Sequence, residues 1–462
     1  MFNLNHLANS HSLFFLDGNN ISLNEFINDV NHYRRKVRRF KKAQSSANKL
    51  INTPRKVVLF HSDTYQFAIR LFALSAESID VYFPRNSQIQ TLNLLFEVTD
   101  AFSGELAHEI TFPSIESVDI DITEDESHLE LSPELSWPVS GGLYFSTSGS
   151  TGKAKLIEKS WQQINLELTE LQNVFCVTRY SKVIATVSHQ HIYGLLFRLL
   201  WPLSNGTLIS DTFDYPEHVK SALQGDKKVA LISSPAFLKR LINDNVLAAN
   251  SNHFSHIFSS GGLLADDISI QLNQQLDFPI TQVYGSTETG GIAYRQVDSL
   301  PASRWQTFNG ITLSEEAQSK RLILTSPWVS ETPMLLDDMG ELTSATEFTL
   351  KGRIDRNVKL EEKRVNLSAM EQVVNEHCWV NESRILLKTG KRDVLFAVLS
   401  LTELGLFKRN ELTAIAFTRE IKNHLLGKFE LVCLPKKWRY LTALPYNSQG
   451  KLVQRELEKL FE

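Results

Sequence analysis

The sequence predicts an α/β fold with a large N-terminal domain, built on layered and largely parallel sheets, and a small α+β C-terminal domain. Three observations support this prediction. The chain of 462 residues is too long for one compact core. Short apolar runs alternate with helical patterns through most of the chain, which is typical of parallel strands joined by helices. After about Gly340, hairpin-like segments replace that alternation.

The alternation starts with a strand at residues 56–60, a helix capped by Asp63 and a second strand, "IDVYF". Four strand-and-helix pairs follow before a last strand, "ITQVYG": "KVIATV" and "YGLLFRLLWPL", "GTLI" and "PEHVKSAL", "KVALI" and "PAFLKRLINDNVL", "HIFSS" and "LADDISIQLNQQL". The small domain is predicted to contain a hairpin in "RILLKTGKRDVLFAVLSL", a helix in "NELTAIAFTREIKNHLL" and a strand near "KWRYL". Ligand sites of such parallel sheets lie in the loops after the strands.

The amino-acid composition argues against several classes of protein. The hydrophobic share of 42% and the charged share of 22% are ordinary for a globular protein. The net charge of −4 argues against a nucleic-acid binder, and the basic run at residues 34–42 is expected to be the solvated face of an N-terminal helix. Three scattered cysteines without a CxxC pair favour reduced thiols in a cytoplasmic protein and no zinc site. Neither a secretory signal nor a transmembrane segment is expected.

The first stretch that points to chemistry is "FSTSGSTGKAKL" at residues 145–156. It follows "GGLY", which is typical of the end of a short buried strand. Small residues let the backbone approach a ligand, consecutive N–H groups can surround an anion, and Lys153 or Lys155 adds charge. These properties suit a polyphosphate, although a plain surface loop is the alternative for the stretch alone. The P-loop pattern GxxxxGK[ST] is excluded, because Thr147 and Ala154 stand at its first and last positions.

Four more stretches accompany it in order: "VYGSTETGG", "MLLDDMGEL", "KGRIDRNVKLEEKRVNLSAME" and "LPYNSQGKL". With them, the chain resembles the adenylate-forming (AMP-binding) superfamily of acyl- and aryl-CoA synthetases, carrier-protein acyl ligases and luciferases. The resemblance covers about residues 140–455, and five motifs in order are far more specific than any one. The short segment before the first motif is similar to that of compact bacterial aryl-polyene-type acyl ligases.

The resemblance implies an ATP site. The first motif matches the phosphate loop of the family, whose contacts to the β- and γ-phosphates would come from Thr147, Ser148, Gly149, Ser150, Thr151, Gly152 and Lys155. Ala154 replaces the usual proline, which implies a less stiff loop. Tyr284 would lie against adenine, Thr287 beside the α-phosphate, and Glu288 on Mg²⁺, a cation that takes carboxylate and phosphate oxygens. Gly262 would flank the adenine pocket, with a plain tight turn as the alternative.

The same resemblance assigns residues to ribose binding and to a domain movement. Asp338 would accept the ribose hydroxyls, although "DDMG" alone is typical of a solvated turn. Arg353 would lie near the ribose and the phosphates. Asp355 matches the interdomain hinge, which divides the chain into a large domain at 1–352 and a small mobile domain at 353–462.

The reacting groups are implied by the remaining matches. Lys451 aligns with the catalytic lysine, whose ammonium would bridge the acid and the α-phosphate while charge develops. His191 would lie at the mouth of the acyl pocket; this role is favoured over a metal pair with His189, because no third ligand is evident. The region lacks the aspartate that holds the ammonium of amino-acid substrates, so a fatty or aromatic carboxylic acid is favoured.

The acceptor thiol is inferred from a position where the sequence differs from the family motif. Glu362 stands where relatives that use CoA often have the glycine bordering the pantetheine tunnel, while Arg364 keeps the arginine. An extra carboxylate would repel the phosphates of CoA, which favours the phosphopantetheine arm of an acyl carrier protein. We therefore expect a cytoplasmic acid-thiol ligase that uses ATP and Mg²⁺. The alternatives are an adenylate-binding protein of the same fold without turnover, and an adenylation-only or luciferase-like enzyme.

Overall fold

The computed structural model describes most of the chain in two compact units, residues 1–312 with 325–332, and residues 313–324 with 333–462. The predicted boundary near residue 352, with its hinge, stays a prediction. The described residues are 4, 6–16, 18–47, 55–84, 86–105, 111–118, 141–148, 154–177, 182–223, 228–243, 246–276, 278–300, 304–360, 363–389, 393–426, 428–446 and 452–462.

The first unit combines strands with helices in the alternation that the sequence predicts. Its strands are β1 (Ser12–Leu16), β2 (Asn19–Ser22), β3 (Lys56–Phe60), β4 (Asp80–Phe83), β5 (Ala101–Gly104), β6 (Gly142–Ser148), β7 (Ala154–Ser160), β8 (Lys182–Ala185), β9 (Leu208–Thr212), β10 (Val229–Ser233), β11 (Phe254–Ser259), β12 (Thr281–Ser286), β13 (Gly290–Gln296) and β14 (Trp305–Thr307). Its helices are α1 (Leu23–Ala47), α2 (Thr64–Ala76), α3 (Ile89–Phe96), α4 (Trp161–Phe175), α5 (Ile192–Gly194), α6 (Trp201–Ser204), α7 (Pro216–Ala222), α8 (Pro235–Asn243), α9 (Val246–Ala249) and α10 (Asp266–Asn273), with a π-helix at Leu195–Leu200 and 3₁₀ turns at Ile115–Ser117 and Ser251–His253.

Two sheets organise this unit. The smaller has the order β5-β3-β4-β6-β7, and the larger runs β14-β13-β12-β11-β10-β8-β9-β1-β2. Strands β3, β4, β5 and β6 pair in parallel, as do β8 to β12 and β1 with β9. The remaining pairs described in this unit are antiparallel. The predicted α/β class with largely parallel sheets is thus confirmed. The parallel strands place their carboxyl ends, and the loops that follow, along one edge of each sheet.

The second unit has the hairpin-rich character that the sequence predicts. Its elements are β15 (Thr312–Glu315), β16 (Arg321–Thr325), β17 (Met334–Leu342), β18 (Glu347–Arg353), β19 (Asn357–Leu360), β20 (Lys363–Asn366), α11 (Leu367–Asn375), β21 (Val380–Lys388), β22 (Val394–Leu401), α12 (Glu403–Glu411), α13 (Ala414–Leu426), β23 (Lys437–Leu441) and α14 (Gln454–Lys459), with 3₁₀ turns at Ile354–Arg356 and Leu431–Cys433. Strands β21 and β22 form the predicted hairpin, and β23 pairs with β22 in parallel. One prediction needs correction: Asn410 and Glu411 end a separate helix, α12, because Thr413 and Leu412 interrupt the helical pattern before α13.

The basic run is not simply the solvated helix face that the sequence predicts. It lies on α1, where Arg34 and Arg38 both contact the carboxylate of Glu77, the latter at 2.7 Å. Lys41 donates to the main-chain carbonyl of Glu77 at 2.9 Å. Buried apolar residues such as Val37 alternate with these cations and seat the helix against the unit, so the long side chains reach acceptors. Much of the basic run is therefore structural.

A buried histidine on β11 gives the first unit a predicted sensitivity to acid. The His256 ring stacks on Phe258 with centroids 4.3 Å apart, and its Nε2 lies 2.7 Å from Thr281 Oγ1. Burial lowers the pKa of His256 to about 4. Because the unfolded state takes up a proton more readily, this group stabilises the fold above its ordinary pKa, and that contribution is lost as the pH falls toward 4.

We expect wild-type protein to lose about 2 kcal/mol more unfolding free energy than His256→Phe between about pH 7.5 and about pH 4.5. Urea denaturation at the two pH values measures the difference, and phenylalanine keeps the ring contact. Equal pH dependence of the two proteins would contradict this assignment.

Candidate active site

The strands on either side of the phosphate-loop stretch pair with each other. Strands β6 and β7 pair antiparallel from Gly142↔Ser160 to Ser148↔Ala154. The strand therefore extends through Ser148 instead of ending at Tyr144, because β7 continues the ladder and Thr147 Oγ1 donates to the Lys155 carbonyl at 3.3 Å. Since β6 is parallel to β4, Ser148 ends β6 at the carboxyl edge of the smaller sheet. Gly149, Ser150, Thr151, Gly152 and Lys153 lie outside the described residues.

The second motif forms a tight turn between β12 and β13 that carries Thr287 and Glu288, both half-buried. Two side chains brace it from within: Ser286 N–H donates to Thr289 Oγ1 at 2.9 Å, and Thr289 N–H donates to Ser286 Oγ at 3.2 Å. Gly290 has φ +67°, and a Cβ there would lie 2.6 Å from the carboxylate of Glu167. Only glycine fits this position without a shift.

A buried charged pair, which sequence reasoning missed, supports that turn. Lys159 on β7 is 2% exposed, and its ammonium donates to the carbonyls of Glu288 at 2.8 Å and Trp328 at 3.0 Å. Glu167 on α4 is 3% exposed and accepts the Gly291 N–H at 2.6 Å. Burial raises the pKa of Glu167 to about 7 and lowers the pKa of Lys159. The sequence contains one sign of the buried lysine: Lys159 follows Ile157 by two residues, so both side chains face the same side of the strand.

An aromatic wall lies near the same turn. The Tyr284 ring is half-buried, with its centroid 5.6 Å from that of Trp305. The Arg295 guanidinium lies 4.6 Å from the Trp305 ring and 2.7 Å from Asp266. The partly exposed ring of Tyr284 suits the face of a purine, whereas the ring of Trp305 is buried. Gly262 lies in an exposed bend after β11.

The two histidines of "SHQHIYGLL" have different environments. His189 is 2% exposed, with Nε2 at 2.9 Å from the His61 carbonyl and Nδ1 at 3.2 Å from both Thr64 Oγ1 and Arg198. Burial, together with Arg198, holds the pKa of His189 well below its usual range. His191 is half-buried at the cap of α5, beyond the carboxyl end of β8. Within the described ranges, no group of three His, Cys, Asp or Glu side chains is arranged to hold a metal ion.

The second unit brings together the two residues assigned to the ribose. Asp338 on β17 faces Arg353 on β18 in the ladder, and their charged groups approach to 3.6 Å. Arg353 also lies 3.4 Å from Asp337, which Arg321 contacts at 2.9 Å. The Asp338 side chain is 21% exposed and that of Asp337 49%. Partly exposed ion pairs contribute little to stability, so both groups can exchange partners for a ligand at little cost.

The hinge segment continues into a firmly held residue. Asp355 lies in the 3₁₀ turn Ile354–Arg356, followed by the hairpin of β19 and β20. Arg356 contacts Glu371 and donates to the Ile385 carbonyl at 3.1 Å. Glu371 in turn accepts the Ile385 N–H at 2.6 Å.

The remaining predicted residues are only partly described. Glu362 lies outside the described residues. Arg364 stands on β20 opposite Lys359. Lys451 also lies outside them, but the residues that flank its segment pair, because Tyr446 and Leu452 form an antiparallel bridge.

Comparisons with known proteins find similarity to AMP-binding enzymes. Residues 138–318 match the AMP-binding enzyme family. The 4-coumarate–CoA ligase of Halorhodospira halophila is 24% identical over 67% of this chain and 75% of its own length. The D-alanine–D-alanyl carrier protein ligase of Lactococcus lactis is 23% identical over 74% of each chain.

Solved structures show the same fold. ATP-bound MatB from Rhodopseudomonas palustris superposes with a TM-score of 0.76 at 15% identity, over 99% of this chain and 97% of that one. The AMP complex of O-succinylbenzoate coenzyme A synthetase from Bacillus subtilis gives 0.74 at 14% identity, over 98% and 96%. The match of residues 138–318 confirms the resemblance inferred from the motifs, and the solved structures confirm the fold. Among the described residues, no helix has the length and apolar character needed to cross a bilayer.

Proposed function

We propose, on the premise that the central part of this chain matches the AMP-binding enzymes, that the protein is an ATP-dependent acid-thiol ligase. A fatty or aromatic carboxylic acid is its substrate, and an acyl-adenylate is its intermediate. The supporting observation is that Lys159 ties the strand after the phosphate loop to the turn of Thr287 and Glu288. The strand that follows the first motif thus lies beside the second motif, which supports one site built from both.

In the first half-reaction, a carboxylate oxygen attacks the α-phosphorus of ATP, and the bond from that phosphorus to pyrophosphate breaks. The phosphate loop holds the leaving phosphates, and Thr287 donates its hydroxyl beside the α-phosphate. Lys451 neutralises the two anions as they approach, which stabilises the charge of the transition state.

The residues of the turn fit a magnesium ion. Lys159 engages the main-chain carbonyl of Glu288, not its carboxylate, so the half-buried carboxylate can be a ligand with phosphate oxygens. Bound Mg²⁺ would supply neutralisation of the phosphate charge. Tyr284 would position adenine, and Asp338 with Arg353 would position the ribose.

In the second half-reaction, a thiol attacks the carbonyl carbon of the acyl-adenylate, and AMP leaves. A rotation near Asp355 would remove Lys451 and present the acceptor. We assign the acceptor as the phosphopantetheine arm of a carrier protein in preference to CoA, because Glu362 adds negative charge where the CoA phosphates would approach. His191 would border the acyl pocket. The protein is then expected in the cytoplasm.

A panel of fatty and aromatic acids tests this proposal by pyrophosphate release, with CoA and a holo-carrier protein offered separately. We expect release that depends on the acid, formation of AMP, and thiol consumption mainly with the carrier protein. Formation of AMP without thiol consumption would indicate an adenylation-only enzyme. ADP formation, or nucleotide binding without any turnover, would overturn the proposal.

A further inference from the structure

Lys159 and Glu167 hold the same short piece of main chain from two directions. Lys159 donates to the carbonyl of Glu288, and Glu167 accepts the N–H of Gly291. Trp328 closes the network: its carbonyl accepts from Lys159 at 3.0 Å, and its indole N–H donates to the Gly291 carbonyl at 3.0 Å. Residues 288–291 are therefore fixed by three side chains that the proposed mechanism does not use.

Core stability alone does not account for this pair. Two ionisable groups that are almost fully removed from water carry a large desolvation penalty, and well-packed apolar residues often replace buried ionic groups at no cost in stability. The described side-chain hydrogen bonds of Lys159 and Glu167 all go to main-chain atoms, which are those of Glu288, Trp328 and Gly291. Such bonds set position more than they add stability.

Lys159 lies on the strand that directly follows the first motif. Strand β7 leaves the phosphate loop at Ala154, and Lys159 follows five residues later, where the strand passes the turn. One ammonium group thus links β7, the strand that follows the phosphate-loop stretch in the chain, to the turn of Thr287 and Glu288. Misplacement of reacting groups by about 1 Å can cost about 100-fold in rate.

We propose that Lys159 and Glu167 are a positioning pair that fixes the Glu288 turn against strand β7 and helix α4, so that the carboxylate of Glu288 is held where it meets the magnesium-bound phosphates. The inference rests on the proposed ligase function. Neither side chain touches a reacting group in this assignment.

Isosteric variants test the pair. We expect Lys159→Gln to lower the rate constant of adenylation by about 30-fold and to raise the half-saturating Mg²⁺ concentration several-fold, with the KM for the acid nearly unchanged. Glu167→Gln keeps an acceptor for the Gly291 N–H and is expected to lose about 5-fold, whereas Glu167→Leu removes that acceptor and is expected to lose about as much as Lys159→Gln.

A second buried lysine provides the matched control. Lys182 begins β8, is 4% exposed, and donates to the Ala222 carbonyl at 3.0 Å. Lys182→Gln removes the same kind of buried bond at the opposite end of a strand from the site. It is expected to lower thermal stability without changing the Mg²⁺ dependence.

Hydrogen exchange provides a readout that needs neither nucleotide nor activity. In the peptide covering residues 284–292, we expect faster exchange in Lys159→Gln and Glu167→Leu, and wild-type exchange in Lys182→Gln. Unchanged exchange and unchanged Mg²⁺ dependence in folded Lys159→Gln or Glu167→Leu would overturn the positioning role, as would equal effects in Lys182→Gln. Wild-type protein that releases no pyrophosphate with any acid would instead contradict the ligase function, while exchange would still decide whether the pair holds the turn.

Discussion

Replacing Lys451 with alanine is expected to slow acid-dependent pyrophosphate release by at least about 100-fold, while ATP still binds. The carboxylate and the α-phosphate are both anionic, so the reaction must overcome their repulsion before the new bond forms. An ammonium between them offsets that repulsion most strongly in the transition state. Its loss therefore lowers the rate constant more than the affinity for ATP.

Single-turnover measurements separate the two half-reactions of this variant. Thioester formation from a synthetic acyl-adenylate should stay close to the wild-type rate, because Lys451 is assigned to the first step only. Lys459→Ala is the matched control: this lysine lies on α14, is exposed, and pairs only with Glu456 at 2.7 Å among its described ion pairs. Normal pyrophosphate release by Lys451→Ala would refute the assignment of the catalytic lysine.

Replacing Glu288 with glutamine is the second change with a large expected effect. The amide keeps the shape of the side chain but loses the charge that a hard cation requires. We expect the rate constant of adenylation to fall about 100-fold and the half-saturating Mg²⁺ concentration to rise. The main-chain bond from Lys159 to residue 288 does not depend on the side chain, so the fold and its melting temperature should change little.

Adenylation assays over a range of Mg²⁺ concentrations measure this effect. Glu217→Gln, an exposed change on α7, is the control and should behave like wild type. A Glu288→Gln variant with wild-type Mg²⁺ dependence would show that the metal is held elsewhere.

Local patterns accounted for much of the fold. The Asp63 cap, whose carboxylate accepts the Gln66 N–H at 2.7 Å, and the hairpin of β21 and β22 were both predicted correctly. These features depend on residues close together in the chain, so a short window contains the relevant interactions. The order of the five motifs likewise gave the resemblance to AMP-binding enzymes, which the match of residues 138–318 bears out.

Other predictions failed where distant residues decide the outcome. The basic run is typical of a solvated helix face, yet Glu77, Glu116 and the packing of α1 convert much of it into ion pairs. The strand before the phosphate loop extends further than predicted, because β7 supplies its partner. Roles that stay predictions, such as the hinge at Asp355 and the acceptor side at Glu362, depend on a second conformation or a partner.

Local sequence patterns determine the fold class, the motifs and most of the strands and helices. The spacing of apolar residues and the choice of turn residues act over only a few positions. The support of the turn that carries Thr287 and Glu288 is decided only in three dimensions. Lys159 bonds to residues 129 and 169 positions away, and Glu167 to one 124 positions away. The role of a buried ionisable group depends on the partner that it contacts in the folded protein. No local sequence pattern specifies that partner.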